Sequence, residues 1–229
     1  MISPFVEMTN VYSDVMKTVN LTASTLPDTP QLKDITVGAT RHPQFMCLSD
    51  PNAGKIAWSR DGTTNAAYRR GFCGNYLACA ASTTFGGIGS GTDFDGVLLP
   101  GRTVKISDVT DGLSKTAMLA EGVAVPNVFG DTFDARGGYF YCNYGGTLFS
   151  TRYQPNTSVG DKVSSTTSWL PRAPTTSGDY QNYARSWHDG GVNVAMADAS
   201  TRFVGDNVNA AIWTAAGSRN GSETLPALD

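Results

Sequence analysis

Residues 186–206, SWHDGGVNVAMADASTRFVGD, place Ser186, His188, Asp189, Asp198 and Ser200 within one short span. Two kinds of chemistry use such a set. Ser186 and His188 are two apart, so on a strand they share a face and could form a nucleophile–base pair for hydrolysis. The nucleophile-elbow pattern G-x-S-x-G is missing, however. His188 and Asp198 could instead be a base and its orienting carboxylate. Between them, Val192, Val194 and Met196 alternate with Asn193, Ala195 and Ala197, which is a strand pattern. After DAS the chain resumes with TRFV, Arg202 outward and Phe203 opposite, so a hairpin is expected. Six strand residues span roughly 17–20 Å. A base and its carboxylate must sit at about 2.6–3.2 Å. His188 and Asp198 therefore stand at opposite ends of the hairpin and form no dyad. Asp198 reads as a turn residue whose carboxylate accepts backbone N–H groups. His188 reads as a corner residue bonding backbone, with Gly190 or Gly191 supplying a positive φ.

Other residues offer weaker chemistry. Asp93 and Asp95 follow a flexible glycine-rich run, GGIGSG, and could ligate a hard cation such as calcium; two carboxylates make an incomplete set. The run lacks the lysine of a phosphate-binding loop. Cys47, Cys73, Cys79 and Cys142 include no C-x-x-C pair, and the chain has only two histidines, so a cysteine-rich zinc site is not expected. The four thiols suit two disulfides in an oxidising compartment, in any of three connectivities. Buried free thiols are the alternative. Tyr139, Phe140, Tyr141 and Tyr144, with Trp169 and Trp187 similar in type, could stack on sugar rings; aromatic core is the competing reading.

The elements that would carry these residues can be sketched. Phe5, Met8, Val11, Tyr12, Val15, Met16 and Val19 recur at intervals of three and four, predicting an amphipathic helix over 4–19. Residues 54–70 read as an exposed loop and 72–82 as a strand of small residues. Val104 and Ile106 alternate as in a half-buried strand, ahead of a turn at Asp108, Thr110, Asp111 and Gly112. A short buried run follows at 116–121, and two strands are expected within 130–150. Residues 154–182 read as a surface excursion, and NAAIWTAAG at 209–217 as a short helix ended by Gly217. The whole, 1–229, is expected to be a single α+β domain built on antiparallel strands. The 229 residues are 40% hydrophobic and 16% charged, with a net charge of -3. That charge gives no electrostatic case for nucleic acid or an anionic membrane. No run approaches 18 apolar residues, so no membrane span is expected and the chain as given should be soluble.

Five blocks, taken in order, resemble a bacterial pseudopilin-like family of unknown function. Its members start with a prepilin-type cleavage and methylation signal and end in an H-x9-D-G motif. The blocks are MISPFVEMTNVYSDV, FMCLSDPNAG, GNYLACAAS, ISDVTDGLSKTAMLAEG and SWHDGGVNVAMADAS. Matching positions include Cys47, Ser49, Asp50, Asn75, Tyr76, Asp108, Asp111, Gly112, Ser114, Glu121, Ser186, His188, Gly190, Gly191, Asn193 and Asp198. By this resemblance the chain is expected to open where that family's globular head begins, past the hydrophobic amino-terminal helix. Ala199 stands where the family has Gly; a positive φ there would cost on the order of 1 kcal/mol. The resemblance implies a pseudopilin-type head at the bacterial cell surface, exported, non-enzymatic and without a cofactor. Its partners would be copies of itself or other pilin-like subunits. It also implies that the motif residues are architectural.

Overall fold

A computed structural model of the chain describes residues 8–18, 40–60, 67–85, 94–99, 102–126, 134, 136–139, 145–163, 170–178, 181–222, 226 and 228. In chain order the elements are helix α1 (Thr9–Thr18), then strands β1 (Ile56–Arg60), β2 (Ala67–Phe72), β3 (Tyr76–Ala81), β4 (Ala117–Glu121), β5 (Leu148–Ser150), β6 (Asp161–Val163), β7 (Thr175–Ser177), β8 (Asn182–Tyr183), β9 (Gly191–Met196) and β10 (Thr201–Gly205). Helix α2 (Ala210–Ala216) follows β10. Single helical turns occur at Pro43–Phe45 and Ile106–Asp108.

Six strands form the main sheet in the order β10-β9-β4-β3-β5-β8. The pairs from β10 to β3 are antiparallel, whereas β3–β5 and β5–β8 are parallel. The α+β expectation holds, but the sheet is mixed, not purely antiparallel. The reason lies in the long connections preceding β5 and β8, which bring the chain back to the same end before it pairs.

The alternation read in β9 is realised. Val192, Val194 and Met196 are fully buried and pack with Leu77, Cys79, Phe149 and Val204 beneath Trp213 of α2. Phe149 and Trp213 lie stacked with ring centroids 6.4 Å apart. Asn209 caps α2 by accepting from the amides of Ala211 and Ile212 at 2.9 and 3.3 Å. Gly217 ends the helix with right-handed backbone (φ -82); a Cβ there would overlap the Thr151 hydroxyl. Strand β3 is buried on both faces: Leu77 and Cys79 face α2, while Ala80 and Ala81 pack with Phe85 and Leu148. Helix α1 occupies part of the expected span, with Val11 buried within it and Met8 buried just ahead of it.

Several expectations change. Within 54–70, β1 and β2 form an antiparallel hairpin with a bulge between Ala57 and Trp58, instead of a loop. Its Thr and Asn residues cluster at 63–65, outside the described residues. Val104 and Ile106 do not make a strand. The Asp108 carboxylate accepts from the Lys105 amide at 2.9 Å and closes a helical turn, leaving Ile106 75% exposed. In β10 the faces are reversed from the expectation. Arg202 lies opposite Val194 on the core side, bonding the Leu228 carbonyl, while Phe203 points outward. Of the two strands expected in 130–150, β5 is present; residues 127–133, 135 and 140–144 are outside the described set.

The 154–182 segment is anchored, not merely superficial. Asp161 starts β6, which pairs in parallel with β7. Its carboxylate receives Arg136 Nη1 at 2.9 Å, Arg185 Nε at 3.0 and 3.1 Å, and the Tyr183 amide at 3.1 Å. Arg136 also meets Asp134 at 2.6 Å, and Lys55 Nζ bonds the Asp134 carbonyl at 3.0 Å. All five of these charged residues are buried. Burial alone would raise the Asp134 pKa; the Arg136 charge and its hydrogen bonds outweigh that and hold the carboxyl below its usual range.

Candidate functional site

The hairpin β9–β10 has two polar ends, and the motif residues divide between them. At the far end, the Asp198 carboxylate accepts from the Ser200 amide and hydroxyl at 2.9 and 2.6 Å. Those bonds hold its pKa below the ordinary value. The Asp198 amide bonds Leu113 O at 3.2 Å, and the Ala197 amide bonds Thr116 O at 2.8 Å. The D-x-T-D-G-x-S-x-T block therefore seats against this turn. Gly112 has φ +102, and Thr116 Oγ1 donates to its carbonyl at 3.1 Å. Asp111 accepts from the amides of Gly221 and Ser222 at 2.7 and 2.9 Å. Asp108 caps its own turn, and Ser114 is exposed. Ala199 has φ +67, the positive φ that makes Ala costly there.

The near end brings four separated segments together. Asp50, 5% exposed, accepts from the Asn52 amide at 2.8 Å, Asn75 Nδ2 at 2.6 Å and the Ala124 amide at 2.8 Å. Asn75 also donates to Gly122 O at 3.0 Å, and its Oδ1 accepts from the Cys47 amide at 3.0 Å. Ser49 sits exposed on the turn between Cys47 and Asp50. Glu121 ends β4 and is 2% exposed. Its Oε2 accepts from the Asn193 amide at 2.7 Å and from Asn193 Nδ2 at 3.1 Å. Its Oε1 lies 3.0 Å from His188 Nε2, and the same nitrogen lies 3.4 Å from Cys47 Sγ. One donor atom each from Cys47, Glu121 and His188 thus falls within a 4.8 Å cluster able to hold a metal ion. The His188 side chain is 31% exposed, so the cluster opens to solvent on that side. Burial chiefly, with the Glu121 charge adding, pushes the Cys47 thiol pKa up.

His188 and Asp198 are therefore apart, as the strand geometry requires. The imidazole meets the Glu121 and Cys47 side chains, where the sequence reading expects it to bond backbone. Ser186 Oγ donates to Gly191 O at 2.6 Å and accepts the His188 amide at 3.0 Å, so its hydroxyl serves the corner backbone. The two glycines have different reasons. Gly190 has φ +81, whereas a Cβ on Gly191 would overlap the Val204 carbonyl.

The remaining candidates are placed as follows. Cys47, Cys73 and Cys79 are buried free thiols, so the two-disulfide framework is not formed; Cys142 lies outside the described residues. Cys73 and Cys79 are isolated in the packed interior, and burial raises both their pKa values. Both Asp95 oxygens accept from Ser82, through its amide at 2.7 Å and its hydroxyl at 2.5 Å; Asp93 lies outside the described residues. The Tyr139 ring meets Phe45 and Phe72 edge-on at 5.1 and 5.7 Å, and its hydroxyl donates to Tyr76 O at 2.9 Å. Trp187 packs on Val123, Val125 and Ala173 with the Arg172 guanidinium over its ring. Tyr141, Tyr144 and Trp169 lie outside the described residues. Among the described residues, no helix is long and apolar enough to cross a membrane.

No curated protein matches the chain, and no solved structure does. The model of a family described as a protein of unknown function, DUF1559, matches residues 1–211, and the chain belongs to that family.

Proposed function

We propose that this chain is a non-enzymatic structural and interaction head of the bacterial cell surface, of the kind carried by pilus- or secretion-filament pseudopilins. The observation that carries this reading is how the motif residues are used. Asp50 alone ties three segments together through three N–H donors, and Asn75, Asn193 and Ser186 spend their polar atoms on neighbouring backbone or carboxylate. Groups saturated this way fix shape; they are not free to bind and turn over a substrate.

The surface supplies what an interaction module needs. Leu48, inside the F-x-C-x-S-D block, is 93% exposed, and Ile106 and Phe203 are 75% and 49% exposed. Large apolar side chains presented on fixed turns and an edge strand are suited to contacts with like subunits. The engaged Tyr139 ring gives less support to a sugar-stacking platform. The backbone-bound Ser186 hydroxyl gives less support to a Ser186–His188 hydrolase.

Photo-cross-linking residues substituted at Leu48 and Phe203, in the producing bacterium, test the proposal. Adducts with the same chain or with pilin-like subunits, in the fraction sheared from the cell surface, are expected. Protein confined to the cell interior, with no adduct at either position, overturns the reading.

A further inference from the structure

The near-end cluster carries an inference beyond a structural head. We propose that Cys47, Glu121 and His188 form a three-ligand site for a thiolate-accepting transition metal, zinc in the first instance, with a fourth position open to solvent.

The geometry separates this from a nucleophilic relay. In a cysteine–histidine–carboxylate relay the two partners use opposite ring nitrogens, since one takes the thiol proton and the other orients the ring. Here both partners approach one nitrogen: Nε2 lies 3.4 Å from Cys47 Sγ and 3.0 Å from Glu121 Oε1. Three donor atoms converging on a common point is the pattern of coordination. Zinc bonds of about 2.3 Å to sulfur and about 2.0–2.2 Å to nitrogen and oxygen place tetrahedral donors roughly 3.3–3.6 Å apart. The two distances are within a few tenths of an ångström of that spacing.

The supporting groups fit as well. Glu121 Oε2 is fixed by the amide and side chain of Asn193, leaving Oε1 as the ligand atom. The Cys47 amide is fixed by Asn75. Such outer hydrogen bonds orient ligands before the ion arrives. One thiolate and one carboxylate neutralise a divalent charge, and a thiolate with an imidazole favours zinc over calcium or magnesium. On binding, the Cys47 S–H bond breaks, a sulfur–metal bond forms, and the proton leaves to solvent. The partly exposed His188 side chain marks where a water or a partner's side chain would complete the coordination.

The test uses the full chain, reduced and stripped by a chelator, titrated with zinc against a chromophoric competitor and then with cobalt(II). One equivalent of zinc is expected, with the absorption of tetrahedral cobalt and a thiolate-to-cobalt band. In Cys47→Ser the thiolate band disappears and affinity falls by more than the roughly 10–100-fold typical of losing an outer partner. His188→Gln, at a half-exposed side chain, gives the same loss of affinity if Cys47→Ser does not fold. A folded wild-type chain that takes up no equivalent of zinc overturns the proposal. So does uptake that is unchanged in both variants.

Discussion

Removing the Asp161 carboxylate is the sharpest way to ask whether the buried charges hold the 154–182 segment in place. Asp161 is 2% exposed and is shared by Arg136 and Arg185. Three buried cations, Lys55, Arg136 and Arg185, face two buried carboxylates, Asp134 and Asp161. Asp161→Ala leaves three cations with one carboxylate, and the Tyr183 amide without its acceptor. Deleting one partner of a buried pair typically costs about 3–5 kcal/mol, because the remaining charge stays desolvated. For a chain this size, about 2–4 °C per kcal/mol gives a fall in Tm of roughly 6–20 °C. Urea denaturation followed by circular dichroism measures the free energy directly. Pairing the change with Arg136→Met removes one uncompensated cation, so the double variant should be less destabilised than the two singles added. A coupling of at least about 1 kcal/mol is expected. A single-variant cost under about 1 kcal/mol, or strict additivity, would refute the reasoning, since either result means these charges are already solvated or do not sense one another.

Three further expectations follow from individual residues. Ala199→Gly relieves the φ of +67 at the β9–β10 turn and should raise stability by about 1 kcal/mol, read as a higher Tm; an unchanged or lower Tm counts against strain at that turn. Asn75→Ala strips bonds to Asp50, Gly122 and the Cys47 amide in a fully buried site and should cost about 2–4 kcal/mol, with faster protease cleavage near Cys47; a loss below about 1 kcal/mol contradicts the clasp. Burial first, then the neighbouring Tyr153 and Asp161 charges, pushes the Tyr183 phenol up to about 12, and burial raises Tyr139 as well. Because both folded-state values lie above the unfolded value of about 10, their contribution is intact below pH 10 and is lost as the pH climbs further, for Tyr183 through about 12. A near-ultraviolet phenolate titration should show Tyr139 and Tyr183 among the late tyrosines released with alkaline unfolding; their ionisation near pH 10 in the folded chain would contradict this.

What could be read from the sequence was local, and what could not was set by contacts between distant residues. The β9 strand, its turn and α2 follow from alternation, from turn chemistry at Asp198, and from Asn209 and Gly217, each acting over a few residues. The β1–β2 hairpin was hidden because its pairing, from Ile56 with Phe72 to Arg60 with Ala67, outweighs a composition typical of loops. The mixed sheet was hidden for a related reason: parallel pairs such as Ala78 with Leu148 leave no local signature. The site shows the same division most clearly. Spacing rules for metal ligands recognise donors a few residues apart, yet His188 meets Cys47 across 141 positions and Glu121 across 67. Read one block at a time, Cys47 looks like half of a disulfide or a buried free thiol, Glu121 like the end of a short buried run, and His188 like a corner residue. The available signal was that Cys47, Glu121 and His188 each occupy a separate motif block, next to Asp50, Gly122 and Gly190, residues that fix local backbone. The clasp of Asp50 and Asn75 joins the first two blocks, and Glu121 with Asn193 joins the last two. Once those joins are made, the three donor atoms have nowhere to go but toward one another. The convergence is therefore a consequence of the architecture, and a ligand held there would report on whether the fold is correctly closed.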